Sequence, residues 1–419
     1  MFLSQLKEIL WGVPATAVFT AFGVYFAAKT GLYDPRAVLR ELKRALCAFG
    51  RKGENGVSPF AAAATALGGT VGAGSIVGVG YGIAVGGAGS VFWLWVFSFF
   101  ATGLNDAETA VSLRGREQRG GTFCGGAPFR LRALGYKKLA ALFCVACVLC
   151  SFGTGNAAQT GAAAQFLFAL KIPRLPAALI CAGAVGAAVC GGGKRVIRFN
   201  SRAVPFASAV YLCACIALLC LNARGLPGAF AQIFTQAFGF KSAAGGFSGA
   251  LLSAALREGC ARSVFSTEAG MGSAPLAHSA SGGDAKLQCS FSVLETVFDT
   301  FAVSTLTALC LLCGGSGSAQ ELFTREWGAA GGLLFGAAAA AFAFASVISW
   351  SYYAETCVHF LFCGRKAPLY VFRTLFAAAA GLGALFPTGA IIAVSDVLNL
   401  FMAAPNLFLL YKCRKEVTP

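Results

Sequence analysis

Charge is scarce in this chain. Only 12% of its 419 residues are Asp, Glu, Lys or Arg, while 57% are hydrophobic, and mean hydropathy is +0.71. A soluble domain carries about 25% charged residues, so this composition excludes a water-facing globule and leaves a polytopic membrane protein. The signatures of metal and catalytic sites are missing too. The seventeen Cys are odd in number, and most, such as Cys144, Cys147, Cys150, Cys213, Cys215 and Cys310, lie in apolar runs as small hydrophobes. No CxxC pair with a downstream partner makes a metal site, and the odd count offers no disulfide framework. HExxH, GxSxG and paired catalytic carboxylates are absent, so the chain is not read as an enzyme, and no cofactor is expected. Gly72, Gly74 and Gly78 are spaced GxGxxxG with no strand before them, which is not a dinucleotide-binding fingerprint. Nor is anything arranged as the rings of equivalent residues that line channels.

What is present is a succession of hydrophobic runs, each near the roughly 20 residues that span a bilayer. Eleven are predicted, at 9–32, 59–84, 91–113, 139–170, 177–190, 203–221, 249–280, 287–313, 328–362, 369–386 and 390–411. The run 177–190 is short for a span, and 139–170 is overlong and predicted to tilt or bend. The run 9–32 is too long for a signal peptide and lacks a small-residue cleavage site, so it is read as a retained helix. The net charge of +16 is not a nucleic-acid footprint, because basic residues collect in every second loop. Arg36, Arg40, Lys43, Arg44, Arg51 and Lys52 form one set; Arg114, Arg116, Arg119, Arg130, Arg132, Lys137 and Lys138 form the next; Lys194, Arg195, Arg198 and Arg202 form a third. Arg365, Lys366, Lys412, Arg414 and Lys415 continue the pattern. By the positive-inside rule these loops are cytoplasmic, which places the N-terminus outside and the C-terminus inside the cell membrane. The longest external connection, 222–248, carries Phe230, Ile233, Phe234 and Phe238 at helical spacing and predicts a short surface helix.

The run 59–84 contains Leu67-Gly68-Gly69-Thr70-Val71-Gly72-Ala73-Gly74-Ser75-Ile76-Val77-Gly78. Each helix-interior Gly costs about 1 kcal/mol against Ala, so the span is predicted to be unwound at mid-depth. Bare peptide groups there are tolerated only against protein or a polar cavity. A second interruption, 262–275, falls in the run 249–280. Setting the first helix aside, ten spans divide into two sets of five that enter from opposite sides, each opening with its interrupted span. That is the pattern of an inverted repeat. The predicted organisation is an extra helix and basic loop (1–56), a first five-helix repeat (57–221), an external loop (222–248), a second repeat (249–411) and a basic tail (412–419). At the first break, amides around Ala73, Gly74 and Ser75 suit a carboxylate. Carbonyls of Gly68, Thr70, Val71 and Phe265 suit an ammonium group or a hard cation. A small zwitterion with a monovalent cation fits better than a sugar or a lone anion.

Carboxylates within spans cost about 2.5 to 3.5 kcal/mol each on insertion scales. They are Asp106, Glu108, Glu258, Glu268, Asp299, Glu355 and Asp396; Glu268, within the second break, is the one expected to matter most, while Glu108, Glu355 and Asp396 fall toward span ends, where reaching the interface or pairing with Arg is the common fate. His278 is expected to make a structural hydrogen bond. In the fourth span Asn156 and Gln159 share a face, and Gln159 is expected to reach a solute. In the ninth, the Ser346 and Ser349 hydroxyls suit a cation and Trp350 a gate.

Seven ordered segments covering nearly the whole chain, 69–95, 152–159, 191–206, 262–278, 298–307, 349–355 and 395–406, resemble the alanine or glycine:cation symporter family of the leucine-transporter fold. RSVFSTEAGMGSAPLAH, ending at His278, is the most specific. The resemblance implies an inner-membrane symporter taking up small neutral amino acids with Na+, or with H+, by alternating access, with no obligate protein partner. It implies a substrate site of Ala73, Gly74, Gln159, Phe265, Ser266, Ala269, Gly270 and Trp350, and a Na+ site using oxygens of Gly68, Val71, Ala343 and Ser346. Departures cluster nearby. The family's GTGN is Gly72-Ala73-Gly74-Ser75 here, its FSNEAG carries Thr267, its Ser-Thr pair is Ser346-Val347, its GGPG is Gly86-Gly87-Ala88-Gly89, and its GGPMYY-like stretch is degraded after Gly120-Gly121. Loss of the second hydroxyl removes one Na+ ligand, which points to weaker Na+ binding or proton coupling, and the preferred solute need not be alanine.

Overall fold

The computed structural model describes residues 13–53, 57–72, 74–119, 122–238, 247–386 and 388–417. Helices occupy each of the eleven predicted runs. The first is α1 (Val13–Thr30), followed by a short amphipathic helix α2 (Pro35–Leu46) that starts on Asp34, whose carboxylate accepts the Arg36 amide at 2.9 Å. The first broken span is α3 (Pro59–Thr70), a π-turn at Gly74–Gly78 and α4 (Val79–Gly86). Next come α5 (Gly89–Leu113), a short helix α6 (Ala127–Ala133), and α7 (Lys137–Phe152) running through a π-turn at Gly153–Ala157 into α8 (Ala158–Ala169). Helices α9 (Arg174–Cys190) and α10 (Gly193–Leu221) follow.

The connecting helix α11 (Leu226–Ala237) buries Ile233 and leaves Phe230 and Phe234 partly exposed. It is fastened to the start of α5: Gln236 accepts the Ala88 amide at 2.8 Å, and the Trp93 indole donates to the Ala237 carbonyl at 3.0 Å. The second broken span is α12 (Phe247–Thr267) with α13 (Ala274–His278). Then come α14 (Ala285–Val297), a π-segment at Phe298–Ser304, and α15 (Thr305–Gly314). The last three are α16 (Ala319–Leu361), α17 (Lys366–Leu385) and α18 (Thr388–Cys413). Helix α16 is really two helices, parted at Trp327 and at Gly328, whose φ of +63° suits only glycine.

Among the described residues, five continuous helical stretches are by themselves long and apolar enough to cross a membrane, and the α3–α4 pair, bent by 45°, makes a sixth. Of the other predicted runs, three fall short for reasons of composition or length. Helix α5 carries Asn105, Asp106 and Glu108, and α12 carries Arg257, Glu258 and Arg262, so both lose hydropathy while remaining helical. Helix α9 is only 17 residues long. The sequence also gave no sign of the antiparallel hairpin β1 (Glu117–Arg119) and β2 (Thr122–Cys124), in which Gln118 faces Phe123. Gly120 and Gly121 lie outside the described residues, and the degraded stretch after them begins with β2.

Helix α5 packs against α1, α12 and α14; α16 packs against α8 and α10; α9 pairs with α17. The short half-helices α3 and α13 lie against each other within this scaffold. One apolar core holds Phe143, Cys147, Trp350 and Tyr353 and a second holds Tyr211, Cys310 and Phe342, all at 1% exposure or less.

Candidate substrate and cation site

Both interrupted spans are broken. Helix α3 starts on a Ser58 cap with Pro59 in its first turn, an arrangement pre-organised for helix. It ends among glycines, with the Val71 amide donating to the Leu67 carbonyl at 2.8 Å. Ala73 lies outside the described residues. The chain resumes in the π-turn at Gly74–Gly78, a geometry that leaves backbone groups out of the regular ladder and recurs at functional sites. The second break is narrower than the predicted 262–275: the chain stays helical through Thr267 and unwinds at 268–273. There Glu268, Gly270 and Gly272 have φ of +52°, +83° and +75°. A left-handed Glu is uncommon and costs about 1 kcal/mol or more.

Side chains take up the peptide groups that the second break frees. Asn105 donates to the Thr267 carbonyl at 3.1 Å. The Gly270 amide donates to Glu108 at 3.0 Å, and Asn406 donates to both Glu108 and the Gly270 carbonyl, at 2.8 and 2.9 Å. Ser273 donates to Glu268 at 2.5 Å. Glu108 therefore holds a backbone in place instead of reaching the interface or pairing with an Arg as expected. Glu355 does pair, with Arg373, through two bonds of 2.8 Å. His278 is hydrogen-bonded to Gln288 at 2.7 Å and to Glu295 at 3.1 Å. The side chain of Asp396 lies outside the described residues.

The two breaks meet at Asp299, in the π-segment Phe298–Ser304. Ser75 of the first break donates to one carboxylate oxygen at 2.5 Å, and Ser266, at the end of α12, donates to the other. The two hydroxyl oxygens are 3.4 Å apart. Ser75 and Asp299 are 0% exposed and Ser266 is 3%. Among the described residues no Lys, Arg or His lies within ion-pair distance of Asp299. Thr300 Oγ1 and Ser304 Oγ, on the same π-segment, are buried with no hydrogen-bond partner among the described residues. In the sequence Asp299 is one of seven in-span carboxylates, among which Glu268 is the one expected to matter most. The available signal was a mid-span Asp with no basic residue three or four positions away.

Of the predicted substrate residues, Gly74, Phe265, Ser266 and Gln159 come together around the first break. The Phe265 ring lies so close to Gly74 that a Cβ there would be 2.5 Å from it, and the Gln159 amide lies against Gly72. Trp350 packs on Gly155, where a Cβ would be 2.4 Å from the indole side chain, and is T-shaped to Tyr353 at 5.5 Å. Ala269 and Gly270 lie apart from this group: Gly270 faces Phe19 and Leu104, with both its peptide groups occupied as described. Asn156 bonds the Phe376 carbonyl at 2.6 Å, joining two helices.

Of the predicted cation ligands, Ser346 meets the end of the first half-helix, donating to the Gly69 carbonyl at 3.1 Å. Gly68 lies beside Ser349 and Asn200. Ser349 donates to the Thr65 carbonyl at 2.7 Å and accepts from Asn200 at 2.6 Å. Val71 and Ala343 are fully buried. The Ala343 and Val347 side chains line an apolar crevice of about 170 Å³ with Phe166 and Ile180. Oxygens without fixed charge suit a monovalent cation; among the described residues no cluster of three His, Cys, Asp or Glu could hold a metal.

Two spans broken beside each other, inside an otherwise helical bundle, define a membrane transporter, and the comparisons agree. MhsT in complex with L-phenylalanine, of the leucine-transporter fold, superposes with a TM-score of 0.53 over 88% of this chain and 100% of its own, at 16% identity. The sodium/alanine symporter AgcS of Methanococcus maripaludis is 31% identical over 97% of this chain and 92% of its own. A probable sodium/glutamine symporter of Bacillus subtilis, GlnT, is 29% identical over 98% and 87%. The profile of the sodium:alanine symporter family matches residues 1–418, and the chain belongs to that family.

Proposed function

We propose that the chain carries a small neutral amino acid, such as alanine, glycine or serine, into the cell together with Na+ by alternating access. The observation that carries this reading is the buried Asp299 carboxylate, which bridges the hydroxyls of both breaks and has no basic partner among the described residues. An amino acid zwitterion is neutral overall, so the coupling cation supplies the charge that neutralises Asp299 in the closed site. The cargo cannot be sealed from water at low cost until that cation is present.

In this reading the solute lies among Ala73, Gly74, Gln159, Phe265, Ser266 and Trp350, with Ala269 and Gly270 behind it as the backbone that fixes the second break. Gly68, Val71, Ala343 and Ser346 supply oxygens to Na+. Eleven helices cross the cell membrane, the N-terminus outside and the basic tail inside, and 57–221 and 249–411 form the inverted repeats. Val347, fully buried where a hydroxyl would bind Na+, favours a second reading in which a proton takes the place of Na+. Uptake of labelled alanine, glycine and serine into proteoliposomes, with external Na+ replaced by choline at fixed pH, tests both. Loss of uptake in choline supports Na+ coupling. Undiminished uptake that falls when the pH gradient is collapsed supports the proton, and no saturable uptake of any of the three overturns the reading.

A further inference from the structure

On α12, one turn before Phe265 and Ser266, two opposite charges are buried together without completing one another. Glu258 and Arg262 are each 5% exposed and, four residues apart, share a helix face. Arg262 Nε is 3.9 Å from Glu258 Oε2, beyond hydrogen-bond length. Among the described residues Arg262 Nε, Arg262 Nη2 and Glu258 Oε2 have no hydrogen-bond partner. The guanidinium lies over the rings of Tyr81 and Phe265, at 5.7 and 5.4 Å. These faces attract a cation but accept no strong hydrogen bond. Gly82 and Gly86 of α4 make room for the two stems. Phe265 stands between this pair and Gly74 at the first break, while Tyr81 is 48% exposed and forms the wall toward the surface.

Burying a guanidinium with unfilled N–H groups is costly, and the cost falls when an acceptor pair completes it. Arginine is always protonated, and its planar fork matches a carboxylate through two parallel bonds. A pair kept only for structure would close to direct contact; this one stays open by about 1 Å beyond a charge-assisted bond. In an amino acid, a carboxylate and an ammonium are joined through a single carbon. One such molecule fills the orphan nitrogens of Arg262 with its carboxylate and the orphan oxygen of Glu258 with its ammonium.

The geometry points to an outer recognition subsite for zwitterionic amino acids at Arg262 and Glu258, occupied before the solute passes Phe265 to the breaks. This rests on the reading of the cargo as a small amino acid. The test reconstitutes the full chain as wild type, Arg262→Gln, Arg262→Lys and Glu258→Gln, and measures alanine uptake with propionate and ethylamine as half-ligand competitors. Arg262→Gln raises KM for alanine about tenfold, by more than it lowers kcat, and abolishes inhibition by propionate while sparing that by ethylamine. Glu258→Gln does the reverse, and Arg262→Lys falls between wild type and Arg262→Gln. Unchanged KM in Arg262→Gln, or loss of both inhibitions together in each variant, overturns the subsite and leaves an ordinary ion pair. If the wild type moves no alanine, the transport reading fails. The subsite is then decided by whether propionate and ethylamine raise the melting temperature of the wild type and, respectively, fail to raise that of Arg262→Gln and Glu258→Gln.

Discussion

Replacing Asp299 by Asn removes a charge from the junction of the two breaks while keeping its shape. Ser75 and Ser266 each donate to one carboxylate oxygen. Asn keeps one acceptor oxygen, and the other hydroxyl can turn to accept from Nδ2, since a hydroxyl serves in either role. The fold should therefore survive. The attraction between a carboxylate and a monovalent cation about 4 Å away is about 4 kcal/mol at an effective dielectric near 20. Desolvation of the ion offsets roughly half of that, leaving about 2 kcal/mol, or close to thirtyfold in cation affinity. The assay is the Na+ concentration giving half-maximal alanine uptake in proteoliposomes, with the melting temperature as a control for folding. A rise of about thirtyfold, or uptake that no longer responds to Na+, is expected. A variant that melts like the wild type and keeps its Na+ dependence would refute the assignment of Asp299 as the charge that the cation neutralises.

Four further outcomes follow from the same contacts. Gly74→Ala places a Cβ 2.5 Å from the Phe265 ring; overpacking of this kind costs about 1–3 kcal/mol, and alanine uptake should fall at least tenfold with expression unchanged. Glu108→Ala strips the Gly270 amide and the Asn406 side chain of their acceptor, so it should destabilise by about 1–3 kcal/mol and lower the melting temperature, with Glu108→Gln less severe. Val347→Thr returns a hydroxyl next to Ser346 at nearly constant volume, and should lower the Na+ concentration for half-maximal uptake severalfold. In the tail, Glu416 accepts from Arg130 at 2.7 Å and from Arg114 at 3.0 Å. Burial alone would raise its pKa, but the charges and hydrogen bonds of Arg130 and Arg114 outweigh that and hold it below the ordinary Glu value. A depressed carboxylate contributes attachment above its unfolded pKa, about 4.3, and loses it as pH falls through the lower folded value. The tail should thus stay docked at neutral pH and release only in acid, whereas Glu416→Gln should speed its trimming by carboxypeptidase already at pH 7.

Much of this architecture is legible in the residues. Hydrophobic period and loop charge mark the eleven helical runs. The glycines at 68–74 announce a break, because no helix interior tolerates so many. The second break is harder to bound, since Arg262 to Thr267 reads as polar and irregular yet remains helical, its side chains finding partners or neighbours on α4 and α5. Asp299 is hard to single out for a related reason: its importance comes from Ser75 and Ser266, which lie 224 and 33 residues away in sequence. Glu108 looks like a span-end carboxylate awaiting an Arg, and only the fold brings Gly270 and Asn406 to it. The hairpin at 117–124 escapes notice because strands of three residues leave too short a pattern to read.

In the proposed mechanism solute and cation occupy one closed site and need each other to do so. Calorimetric titration of alanine into the purified protein at a series of Na+ concentrations measures this directly, because linkage makes the coupling reciprocal. Alanine affinity should rise in proportion to Na+ below saturation. Alanine binding that is tight but indifferent to Na+, at every pH tested, would contradict it.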